Sequence, residues 1–176
     1  PQLETVCAPS LAQGIDGTKG RYCKILGPDD FLDPDALRGL MGYLTTAKES
    51  TVLTDYLELA PRTGMPTECG HFDFMSPEQA YGLADLMYPG FGFDDRTPNR
   101  NTGVFLTEYL RKALALVPES PLSPLDSNIR AILCAKECSY YPHVVWHPRR
   151  ADAEHGELEL RDQVDALAQI IAEVGP

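Results

Sequence analysis

Carboxylates are the side chains of this chain best spaced to do chemistry. Glu49 closes a stretch of helical periodicity, and Asp55, Glu68, Asp73 and Asp85 follow before Met87. A Glu at a helix C-terminus faces the negative end of the helix dipole, and burial adds desolvation. Both raise its pKa and keep it protonated for general acid work. Opposed to a second carboxylate across a sugar bond, such an acid hydrolyses the glycosidic linkage, with retention at a separation of about 5 Å and inversion at about 6.5–9.5 Å. Asp73 is the expected partner of Glu49, with Glu68 and Asp85 behind it. The same residues read about as well as a solvated helix-end Glu after Lys48 and as loop acids that cap turns.

Thiols and rings are the next candidates. Cys7 and Cys23 bracket a segment with Gly14, Gly17 and Gly20 and little periodicity, which suggests a disulfide stapling a region with little core of its own. Cys134 and Cys138 could form a second bridge, leaving Cys69 unpaired; a staple of this kind implies a secreted or periplasmic protein. Cys134, Cys138, His143 and His147 are also a possible zinc set, but Pro142 lies among them and the spacing departs from that of a finger, so no metal is expected. Cys69 with His71 or His143 would make a thiol hydrolase, for which nothing shows an activated thiol. Tyr140, Tyr141 and Trp146 can stack on sugar rings or fill a core, and core is the default for Trp146.

These groups need elements to hold them. The chain has 176 residues, enough for one domain with a proper core. Residues 1–28 read as an irregular arm whose only apolar run is Tyr22-Cys23-Lys24-Ile25-Leu26, and residues 29–176 as the body. Asp33-Pro34-Asp35 supplies an N-cap with Pro at the first helical position, and Leu37, Leu40, Met41 and Leu44 share a face, predicting a helix over 34–49. From Thr51 to Met75, β-branched and aromatic residues broken by Pro61, Gly64, Pro66 and Gly70 predict a small β-hairpin lobe or long loop. Ser76-Pro77-Glu78-Gln79 starts a short helix to Met87. Thr102 caps a helix that is apolar nearly all round from Phe105 to Leu116, as a central helix would be. Ile129–Ala135 reads as helical, Val144-Val145-Trp146 is too short to assign, and residues 157–174 have the spacing of an amphipathic terminal helix. No internal repeat is present.

A net charge of −11 argues against nucleic acid as a partner, because phosphate-binding surfaces concentrate Lys and Arg. No run approaches the ~18 apolar residues of a membrane span. A soluble monomer without a cofactor is expected.

Ala47-Lys48-Glu49-Ser50-Thr51, with Tyr81-Gly82-Leu83 and Thr102-Gly103-Val104-Phe105-Leu106-Thr107-Glu108-Tyr109-Leu110 downstream, resembles the lysozyme superfamily, in particular goose-type and chicken-type lysozymes and lytic transglycosylases. The resemblance implies an α+β, mainly helical fold with a small β-lobe, Glu49 as catalytic acid, and Tyr81, Gly82, Asp85, Tyr140 and Tyr141 lining a cleft. Glu68 is the rival acid, since its distance to Gly82 is similar to the transglycosylase spacing; Pro61, Gly64 and Pro66 before it admit no helix. The implied activity is hydrolysis of peptidoglycan or a related amino-sugar polymer. The acidic surface suits a cationic polymer such as chitosan, and a non-enzymatic acidic inhibitor or immunity protein that covers a basic partner is the alternative class.

Overall fold

The computed structural model describes residues 3–27, 30–60, 63–70, 75–77, 79–81, 103–115 and 137–148. Among them are three helices and six strands: α1 (Leu11–Gly17), β1 (Tyr22–Lys24), β2 (Phe31–Leu32), α2 (Pro34–Leu44), β3 (Thr51–Leu59), β4 (Pro66–Gly70), β5 (Gly103–Leu106), α3 (Thr107–Ala115) and β6 (Cys138–His147). All six strands join one mixed sheet in the order β1-β5-β3-β6-β2, with β4 also paired to β3.

The centre is β3, where Thr51 to Tyr56 are all buried. Its Val, Leu, Thr and Tyr content suits a strand covered on both faces. One edge of β3 carries β5 (Thr51 opposite Phe105, Leu53 opposite Gly103) and then β4 (Tyr56 opposite Gly70), both antiparallel. The other edge carries β6, and this pair is parallel, from Thr51 opposite Cys138 to Tyr56 opposite Trp146. Because β1 is antiparallel to β5 and β5 to β3, strands β1, β3 and β6 all run the same way.

Helices cover both faces. On one, α2 sets Leu40, with Ala47 beyond its end, against Val52, Val104 and Val145, and Tyr22, Leu37, Tyr43 and Tyr141 pack around them. On the other, Ile15 of α1 and Leu110 of α3 meet Phe105, while Met75 and Tyr81 meet Leu53, Cys138 and Tyr140. Full burial of a side chain such as Leu40, Leu53 or Phe105 contributes about 1.5–3 kcal/mol. Arg111 donates to the carbonyls of Ile15 (3.0 Å) and Thr18 (2.6 Å), tying α3 to the end of α1.

A fold with a central mixed sheet and helices on both faces is not the mainly helical lysozyme-like body expected from the motifs. Local departures explain the difference. Asp33 caps α2 as expected, accepting from the Asp35 and Ala36 amides (3.0 and 2.7 Å), but the helix stops at Leu44, before Glu49. The hydroxyls of Thr45 and Thr46 bond back to the carbonyls of Gly42 and Tyr43, a local alternative to continued helix. The anticipated hairpin lobe does pair β3 with β4, yet β3 is the middle of the whole sheet. Gly103–Leu106 is strand, and only from Thr107 is the chain helical. The supposed irregular arm contains α1 and places β1 in the sheet, with Cys23 opposite Phe105. Val144-Val145-Trp146 lies in β6, a strand of ten residues. Around the anticipated start of a helix at Ser76, the described residues form turn and a bridge from Tyr81 to Cys138. The expected helices over 129–135 and 157–174 lie outside the described residues. No helix among the described residues is long and apolar enough to cross a membrane.

Candidate functional site

The strand order creates one unusual connection. β1 and β2 follow each other in sequence but occupy opposite ends of the path through the sheet. Four strand spacings of about 4.8 Å separate them, roughly 19 Å in a flat sheet, and the chain spans that distance between Lys24 and Phe31. It leaves β1 level with Val52, near the start of β3, and enters β2 opposite His147, at the carboxyl end of β6.

Asp30 anchors that crossing. Its Oδ2 accepts from the Gly27 amide at 2.8 Å, closing a turn, and from the Trp146 indole N–H at 2.9 Å, joining the turn to β6. Trp146 is buried and tilts against Tyr56 of β3, with ring centroids 5.4 Å apart. The Lys24 ammonium lies 5.5 Å from the centre of the Trp146 ring, within cation–π range. Desolvation pulls the Lys24 pKa down to about 7, against the opposing attraction of Asp30. Next to this group Phe31 stacks on His147 at 4.4 Å, nearly parallel, and Phe31 is 39% exposed. His147 Nδ1 lies 3.2 Å from the Leu57 carbonyl oxygen, which selects the tautomer protonated at Nδ1. Asp30, Lys24 and Trp146 form one contact group, and Phe31 and His147 stack as a second, one residue further along β6.

A second buried acid sits on β3. Asp55 is 5% exposed and accepts from the Tyr140 hydroxyl at 2.7 Å. The β3–β6 register shifts on both sides of it, a device that re-aims side chains.

The residues expected to be catalytic are placed otherwise. Glu49 lies in the loop before β3: its carbonyl accepts from Tyr22, and its Oε2 accepts from the Lys48 amide at 3.0 Å. A carboxylate folded onto its own loop closes a turn, and the helix end that was to raise its pKa is five residues away. Glu68 is on β4, in register with Glu58. Asp73, Gly82, Asp85 and Cys134 lie outside the described residues. Tyr81 accepts the Ser76 amide through its hydroxyl at 2.6 Å and packs on Tyr140, Leu53 and Met75. Tyr140 is core, whereas Tyr141 is on the opposite face beside Tyr43 and His143.

Cys7 and Cys23, expected to be bridged, are free thiols, Cys7 exposed and Cys23 half-buried against Ile15 and Phe105. The segment needs no staple, because β1 is held by the sheet. Cys138 is also free, and burial pushes its thiol up to about 12. Cys138, His143 and His147 face three different environments, and no group of three or more His, Cys, Asp or Glu among the described residues could hold a metal.

Sequence reasoning passed over Lys24, Asp30 and Trp146 as a unit. Two signals were present: a lysine inside the apolar run Tyr22–Leu26, and an acid pair, Asp29-Asp30, directly after Gly27-Pro28.

No protein-family model and no curated protein matches the chain. Solved structures do resemble it. Residues 1–349 of S. aureus TarS match with a TM-score of 0.60 at 12% identity, over 92% of this chain and 43% of that one. The same TarS piece in complex with UDP-GlcNAc matches with a TM-score of 0.62 at 16% identity, over 98% of this chain and 49% of that one. The longer S. aureus TarS matches with a TM-score of 0.60 over 92% of this chain and 26% of its own length. The chain therefore spans less than half the length of these structures, and at such identities the likeness is one of fold. The likeness is to TarS, and together with the central mixed sheet it overturns both the lysozyme-like resemblance and the hydrolase reading.

Proposed function

We propose that this chain forms part of the catalytic unit of a glycosyltransferase that uses a nucleotide sugar, with a uridine diphosphate amino sugar as donor. The observation that carries the reading is the fold likeness to TarS, which extends over 98% of this chain in the UDP-GlcNAc complex. In such a transfer the bond between the sugar's anomeric carbon and the β-phosphate oxygen breaks, and UDP leaves. A new bond forms to an acceptor hydroxyl, whose proton passes to a base. Water is an unwanted acceptor, which separates this chemistry from the hydrolysis that the carboxylate spacing suggested.

Calorimetric titration of the full protein carrying this sequence with UDP, UDP-GlcNAc and GDP tests the reading, with magnesium present as the usual companion of a diphosphate. Saturable binding of UDP and UDP-GlcNAc, with GDP weaker, is the expected result. A folded protein that binds none of the three, or that clears a suspension of bacterial cell walls, overturns it.

A further inference from the structure

We propose that Phe31 is a base-stacking residue: the exposed side of its ring, backed on the other by His147, receives the flat base of a nucleotide, the uracil of the donor's uridine diphosphate. The identity of that base rests on the glycosyltransferase reading.

The ring pair has the geometry of a platform. Phe31 of β2 stands opposite His147 of β6, and the two rings lie 4.4 Å apart between centroids and 7° from parallel. A phenyl ring stacked flat has one face covered and leaves the other for a second planar ring. The exposure agrees, since Phe31 keeps 39% of its surface in solvent while His147 is half-buried. The other ring pairs described among the aromatic side chains, Tyr43 with Tyr141, Tyr56 with Trp146 and Tyr141 with His143, are tilted by 47°, 54° and 51°. Tilted rings turn edges to one another and make no flat surface of that kind.

The platform is held before any ligand arrives. The Nδ1 hydrogen of His147 goes to the Leu57 carbonyl oxygen, 3.2 Å away, which fixes the imidazole against β3. On one side of Phe31, Asp30 accepts from the Trp146 indole N–H at 2.9 Å. On the other, the Asp33 amide donates to the Val145 carbonyl at 3.0 Å, and the Asp33 side chain caps α2. The exposed ring therefore sits on a segment tied to β6 before and after it, and little ordering is left to be done on binding.

Position and charge fit a base. His147 is the last residue of β6, one past the Tyr56–Trp146 pair of the parallel strands β3 and β6. Phe31 thus stands at the carboxyl end of that pair, the end at which parallel strands take nucleotides. A net charge of −11 gives a diphosphate no general attraction to the chain, so an uncharged contact with the base is a natural source of affinity.

Calorimetric titration of the full protein carrying this sequence, with UDP and with inorganic pyrophosphate in magnesium buffer, tests the inference. Phe31→Ala should weaken UDP by about 5–150-fold, the range that loss of an aromatic stacking partner gives, and leave pyrophosphate unchanged. Phe31→Leu, which keeps apolar bulk against His147 but has no ring, should also weaken UDP, and Phe31→Tyr should bind it as the wild type does. In saturation-transfer spectra of the wild type, the uracil protons should receive more signal than the ribose protons. Wild-type UDP affinity in Phe31→Ala and Phe31→Leu overturns the role of Phe31 and leaves the glycosyltransferase reading standing. Equal loss of UDP and pyrophosphate also overturns it, because the substitution then disturbs more than a base contact. A folded wild type that binds no UDP removes the glycosyltransferase reading and the uracil assignment together.

Discussion

Tyr140 donates its hydroxyl hydrogen to Asp55 Oδ1 at 2.7 Å across the parallel β3–β6 pair, and both side chains are buried. The contact joins residues 85 positions apart in sequence, at the place where the register of the two strands slips. Tyr140→Phe removes this one donor from a buried acid. It is expected to destabilise the fold by about 1–3 kcal/mol, read as a lower midpoint in urea. An unchanged midpoint would mean that the bond contributes nothing to stability.

Thr51 poses the opposite case. Its hydroxyl is fully buried and has no hydrogen-bond partner among the described residues. Thr51→Val replaces that hydroxyl with a methyl of similar size in a strand that favours branched side chains, so it should stabilise the protein by up to about 1–2 kcal/mol. Thermal melting of the two proteins side by side checks this.

Gly103 begins β5 at a position where a side chain does not fit. A Cβ there would run into the ring of Phe105, which is 2% exposed and wedged against Ile15 and Leu110. Gly103→Ala should cost about 1–3 kcal/mol through overpacking. Gly42→Ala, on α2 with open space around the added carbon, should instead be neutral or stabilising by about 0.5–1 kcal/mol.

Lys24 links stability to pH. Its folded pKa of about 7 lies below the ordinary value of 10.5, so between those limits the unfolded chain holds a proton that the folded protein has released. Stability from this group is therefore complete above the unfolded value and is lost as pH falls towards 7. The slope within the window approaches about 1.4 kcal/mol per pH unit. Urea midpoints measured from neutral to alkaline pH should rise for the wild type and rise less for Lys24→Met.

Thiol reactivity should follow burial. Cys7 is exposed and free, whereas Cys138 is buried with its pKa pushed up to about 12. Iodoacetamide at mildly alkaline pH should label Cys7 within the native protein and Cys138 only after unfolding, because the thiolate is the reactive form. Peptide mapping resolves the two.

Local chemistry made part of this structure legible in the sequence. Asp33 and Pro34 start α2 because a cap needs only the three residues after it, and the structure shows that cap. The β-branched run from Thr51 announced extended chain for the same reason. Where α2 stops was already harder: Leu44 continues the apolar periodicity, but Gly42 and the two threonine hydroxyls end the helix before Glu49. With the helix end gone, the carboxylate at its tip lost the setting that suggested catalysis.

What only the tertiary structure decided is the set of partners. Gly103-Val104-Phe105-Leu106 is a short apolar run that leads straight into α3, and short apolar runs have no periodicity that separates strand from helix. It becomes β5 because β1 and β3 lie on either side to take its backbone hydrogen bonds. Likewise Lys24 and Asp30 stand close together in the sequence, but Trp146 is 116 positions from Asp30, and nothing local to either residue announces the bond between them. Only the strand order, which sends the chain from β1 across the sheet to β2, puts the three side chains in one place.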